Sequence, residues 1–145
     1  MKIKIHQALQ NKKQIIGYSL FIFAIILVFL FRTWIGLAIW KISHVPEAAL
    51  FFDRDATFAL EVGNYYFNVY RDGVYDLKKA RSYFNLSLAR DPHVPDAWHQ
   101  LARIDFLNRD FAGALEKINT QIELHGDSFM ASYYIRGLIN GFMGN

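Results

Sequence analysis

The chain has no cysteine among its 145 residues. That excludes a disulfide framework, a thiolate metal site and a thiol redox centre. Acidic residues are missing from the first 45 positions, which carry six Lys or Arg and a charge of +6; residues 46–145 hold ten basic and thirteen acidic residues and net −3. The basic balance of the whole chain therefore belongs to its N-terminal segment. A nucleic-acid-binding domain carries its basic stripe on itself, so residues 46–145 are expected to bind no nucleic acid. There is no low-complexity tract and no Gly/Ser linker.

Catalytic signatures are also missing. The histidines, His6, His44, His93, His99 and His125, include no pair at the one-turn spacing of a helical zinc motif. No serine sits in a nucleophile elbow. Gly137 and Gly141 are not followed by the Lys-Ser/Thr pair that completes a phosphate loop. His93 and His99 lie near Asp91 and Asp96, but His93 falls in a turn and Asp96 reads as a helix N-cap. Asp105 and Arg109 read as a surface i,i+4 pair worth about 0.3–0.5 kcal/mol. The expectation is no metal, no cofactor and no enzymatic group within these residues.

What the chain does have is a long apolar run. Residues 15–31, IIGYSLFIFAIILVFLF, contain no charge and only Gly17 as a helix breaker. At 1.5 Å per residue they span about 26 Å, and the run resumes after Arg32 through Trp40. Summing the aliphatic and Phe contributions, membrane insertion gains roughly 6 kcal/mol, against ~2.5–3.5 kcal/mol for one central Arg and less at the edge. Insertion wins, and Trp34, Trp40 and Tyr18 suit interfacial belts. A transmembrane helix over 15–40 is expected, with 1–14 as a basic cytoplasmic N-terminus and 41–54 as a linker. A cleaved signal peptide is the rival, since Gly36-Leu37-Ala38 offers small residues for processing. The run, however, exceeds the usual 7–15 residues and continues past that point. Lys2, Lys4, Lys12 and Lys13 outnumber Arg32 and Lys41, so the N-terminus is expected inside and the remainder outside a single-pass cell membrane. Within 41–54, Pro46 can open a short helix. That helix either covers the first repeat or lies on the membrane through Leu50, Phe51 and Phe52.

Beyond the linker the spacing turns helical. In residues 95–126 apolar and small residues fall at Trp98, Leu101 and Ala102, then at Phe111, Ala114, Leu115, Ile118 and Ile122, with the polar break Asn108-Arg109-Asp110 between them. That pattern is two amphipathic helices joined by a tight turn. Upstream, 55–92 repeats it: Gly63 stands for Ala102, Ala80 and Phe84 for Ala114 and Ile118, and Asp91-Pro92 closes the unit after about five extra residues near Val69–Lys79. Downstream, 127–145 begins a third copy, in which Tyr133–Gly137 restates Trp98–Ala102 35 residues later. A lone hairpin has too little core and must stack on its neighbours.

These residues resemble the tetratricopeptide repeat (TPR) family, whose usual period is about 34 residues. Asp105, Gln121 and Gly126 depart from the family pattern, and Leu60 stands where a carboxylate-clamp Lys would be, so that clamp is not expected. The resemblance implies an all-α fold: an N-terminal transmembrane helix followed by a TPR-type helical-hairpin solenoid. The first helix of each hairpin would line a concave face through Asn64 and Phe67, then His99, Gln100, Arg103 and Phe106, then Tyr134 and Leu138. Phe106 and Leu107 read equally as core. The third helix is apolar on most sides and lacks a partner. The chain therefore reads as an N-terminal piece of a longer protein, or as one that self-associates through this open repeat. The function implied is a membrane-anchored scaffold binding a peptide or helix. The alternative is the accessory region of a membrane or cell-envelope enzyme whose catalytic domain lies beyond residue 145.

Overall fold

The computed structural model describes residues 2–126 and 130–144, with side chains from Lys12 onward. The first three positions of the expected third repeat, Asn145, and the side chains of Lys2, Lys4 and His6 lie outside what is described. Among the described residues all regular structure is helical, and the chain divides into two compact units, Met1–Asp53 and Arg54–Asn145.

The first unit is a long helix with a short one folded against it. Helix α1, Lys2–Ser43, runs 42 residues without a proline. It is long and apolar enough to cross a membrane, and none of its apolar window is buried. The large side chains from Ile15 to Phe31 are 39–69% exposed. A soluble core helix would bury one side of such a stripe. The helix stops at His44, whose φ of 49° breaks it. Extended Val45 then leads into Pro46 at the first position of α2, Pro46–Phe52. Helix α2 doubles back on α1 because Gly36 has no side chain: a Cβ there would lie 2.7 Å from the Cβ of Asp53 and 2.8 Å from the carbonyl of Ala49. Pro46, Ala49 and Leu50 are buried, whereas Phe51 stays 71% exposed. Within the first unit this short helix packs on α1, and Leu50, unlike Phe51, is buried.

The second unit holds α3 (Ala56–Phe67), α4 (Leu77–Arg90), α5 (Ala97–Leu107), α6 (Phe111–His125) and α7 (Met130–Met143). Each helix packs on the next in chain order, and α7 also touches α5. Three starts are fixed by Asp N-caps: Asp55 accepts from Thr57 N, Asp76 from Lys79 N and Asp110 from Gly113 N. The extra residues of the first hairpin form the loop 68–76. Gly63 lets α4 approach so closely that any Cβ would enter the ring of Phe84. Phe84, Ala80, Leu88, Leu101 and Ile104 share one apolar cluster across α3, α4 and α5. Ala102, Ala114, Ile118 and Ile139 form another across α5, α6 and α7. Helix α5 therefore buries two opposite sides, which leaves it little free surface.

Asp96 departs from the expected cap. It precedes α5 with φ 76° and makes no side-chain cap bond. Its Oδ2 instead accepts from Gln100 Nε2 at 2.7 Å. Gln121, fully buried on α6, supplies the missing acceptor: its Oε1 takes the His99 backbone N–H at 3.3 Å. Gln121 is thus an inter-helix cap.

Gly137 also differs from expectation. A Cβ there would meet nothing within 4 Å, so it is not a packing glycine like Gly63. Helix α7 faces its neighbours through Ser132 and Ile139, seven residues apart, and Gly137 lies off that face.

Candidate protein-binding face

Residues proposed for the concave face fall into three groups. Asn64 and Phe67 are one turn apart on α3, so they share a side. Asn64 is exposed; Phe67 is 9% exposed and meets Phe84 edge-on at 6.1 Å. Above the Phe67 ring, 4.7 Å from its centroid, lies the guanidinium of Arg103 from α5. Arg103 also donates to Gln100 Oε1 at 2.8 Å, and Gln100 in turn donates to Asp96. The result is an exposed cation held from two sides, by an aromatic face and by an amide. Most surface Arg side chains lose considerable rotamer freedom on binding; this one has lost it already.

Phe106 links this polar patch to an apolar one. It follows Arg103 by three residues on the same helix face. It is half-buried, and its ring packs with Phe111 at 5.6 Å and with Phe142 at 5.2 Å. Phe142 is 66% exposed and stands at one end of a shallow groove of about 430 Å³ along α7. Tyr134, Gly137, Leu138 and Gly141 form the rest of that groove. Leu107 is 53% exposed and belongs to the surface, while Phe106 serves both core and face.

His99 does not join them. It is 6% exposed, and its Nδ1 lies 2.9 Å from Ser132 Oγ on α7. Burial pushes its pKa below the ordinary 6.5, Asp96 pulls it upward and Arg103 pushes it further down. Gln100, 9% exposed, acts through Arg103 rather than as a free donor. Both were expected on the open face. They are covered because α5 has neighbours on two sides.

Of the residues expected to hold the repeats together, Ala80, Phe84, Leu101, Ala102 and Ala114 are buried, and Trp98 and Phe111 are half-buried. Pro92 is exposed; its carbonyl accepts from Trp98 Nε1 at 3.2 Å. Asp91 closes its turn by accepting from the His93 backbone N–H at 2.9 Å.

The expected Asp105–Arg109 surface pair is overturned. Asp105 is 2% exposed, with Arg81 of α4 2.6 Å from Oδ1 and Lys117 of α6 2.7 Å from Oδ2. The Lys117 contact is one of charge, without hydrogen-bond geometry. Arg109 instead turns the chain, with φ 62°. The signal was available: Asp105 sits four residues after Leu101, on an apolar helix side, where a carboxylate needs cations from elsewhere.

Asn64, Arg103, Phe106 and the α7 groove therefore make a face with one fixed positive group and an adjoining apolar trough. It suits a carboxylate or carbonyl beside an apolar side chain. No protein-family model and no curated protein matches the chain.

Proposed function

We propose that the protein is a membrane-anchored scaffold of the TPR type that binds a peptide or helical partner on the face formed by α3, α5 and α7. The observation that carries the reading is Arg103, solvent-exposed yet held by Gln100 and Phe67. Contacts with Phe67 and Gln100 already offset the cost of ordering this cation, so a peptide carboxylate or acidic side chain gains a charge-assisted bond with little further loss of side-chain entropy. The groove beside it accepts the partner's apolar side chains, as helix-in-groove and extended-peptide recognition both require. Helix α1 serves as the anchor, which confines encounters to the membrane plane and raises the effective concentration of a partner held there. The Lys-rich N-terminus stays in the cytoplasm, and the hairpins lie outside it.

Quantitative affinity capture of the full-length protein from membranes tests this. Arg103→Glu and Tyr134→Ala alter exposed side chains and leave the helices intact. Partners that bind this face are recovered at least several-fold less with each variant than with the native protein. Unchanged recovery with both removes the face from the function.

A further inference from the structure

Helix α2 creates a second site, within the first unit. Phe51 and Phe52 stand beside Ile25, Val28 and Phe29 of α1 and enclose a groove of about 200 Å³ with Arg32 at its rim. The two Phe rings meet edge-on at 5.1 Å and wall one side. The floor is wholly apolar. Arg32 is exposed, and its guanidinium rests 5.5 Å from the Phe29 ring; no acid engages it among the described residues. Nor can one come from its own helix, which carries no Asp or Glu from Lys2 to Ser43.

The position of Arg32 gives the groove its meaning. It is the first charge after the uncharged run 15–31, whose length of about 26 Å approaches the hydrocarbon thickness of a bilayer. In a bilayer the groove floor lies at acyl-chain depth and the guanidinium at headgroup depth. We infer that this groove binds a phospholipid, with an acyl chain along Ile25, Val28, Phe29, Phe51 and Phe52 and the phosphate on Arg32. The guanidinium fork matches two phosphate oxygens, and near the interface that pairing is only partly screened. The site makes α2 a lipid-gripping collar at the end of the anchor. It rests on the proposed placement of α1 in a membrane.

The test uses the full chain in lipid nanodiscs containing either phosphatidylglycerol with a photoreactive acyl chain or diacylglycerol with the same chain. Cross-links are mapped by mass spectrometry. Phosphatidylglycerol labels the peptides bearing Val28–Phe29 and Phe51–Phe52 several-fold more than diacylglycerol does. Arg32→Gln lowers its yield to the diacylglycerol level, Arg32→Lys retains part of it, and Phe52→Ala lowers labelling by both lipids. Equal labelling by the two lipids, or an unchanged yield in Arg32→Gln, overturns the proposal. Displacement by millimolar inorganic phosphate overturns it in favour of a free-ion site, and chain-to-chain cross-links at Phe51 in favour of a second copy. Carbonate washing of membranes separates the two readings: release of the protein refutes the anchor and the lipid site together, whereas retention with equal lipid labelling refutes the lipid site alone.

Discussion

Asp105 illustrates how a single side chain joins three helices. Its carboxylate, 2% exposed, sits between a cation from α4 and another from α6. Burying a carboxylate is costly unless it is paired, and removing one member of a buried pair costs about 3–5 kcal/mol. Arg81 and Lys117 are partly wet, at 33% and 25% side-chain exposure, so some of that is screened. Asp105→Ala should destabilise the second unit by about 2–3 kcal/mol, read as a lowered midpoint in chemical denaturation. His99 gives the residue-scale pH dependence. Its pKa is depressed in the folded protein by burial, so the unfolded chain takes up the proton first as pH falls. Stability attributable to His99 is complete above its ordinary 6.5 and declines as pH drops below that toward the folded value. Thermal midpoints measured between pH 7.5 and 5 should fall for the native protein and fall less for His99→Gln.

At the scale of elements, two glycines that the sequence alignment of hairpins equates, Gly63 and Gly137, behave oppositely. Gly63→Ala adds a methyl inside the Phe84 ring, which is fully buried and cannot move aside. Overpacking of this kind costs about 1–3 kcal/mol, and the helix-propensity gain of about 1 kcal/mol offsets only part of it. Gly137→Ala meets open space, so it should stabilise α7 by about 0.5–1 kcal/mol while narrowing the groove and weakening partner capture. Thermal denaturation of both variants checks the contrast. Periodicity made the helices legible, because an apolar stripe repeats within one helix, but the caps were not: Asp96, read as an N-cap, makes no side-chain cap bond, whereas Asp55, Asp76 and Asp110 cap α3, α4 and α6. Three other features were not legible either. Gln121 reaches His99 across 22 residues, Asp105 draws a cation from each of two other helices, and α2 docks where Gly36 happens to open α1. Each depends on which helix faces which, and a stripe does not state that. The same blindness placed His99 and Gln100 on an open face: the pattern identified their helix but not its second neighbour.

At the scale of the whole molecule, the proposed orientation follows from charge and is testable at one position. Ser82 on α4 is exposed, and its hydroxyl bonds only back to the Lys78 carbonyl of its own helix. A cysteine there, in a chain with no other, is a clean reporter. Ser82→Cys should react with a membrane-impermeant maleimide without permeabilisation of the cytoplasmic membrane; labelling only after permeabilisation would reverse the topology. The length of α1 has its own corollary. Forty-two residues make a rod of about 63 Å, roughly twice the thickness of a lipid interior. If Arg32 sits near one headgroup layer, as proposed, some 20 Å of unbroken shaft projects beyond the other. No proline interrupts it. On the proposed orientation, a binding event that rolls or tilts this stem would be carried to the Gly36 notch by hydrogen-bonded backbone alone, making the proposed tether a mechanical axle as well.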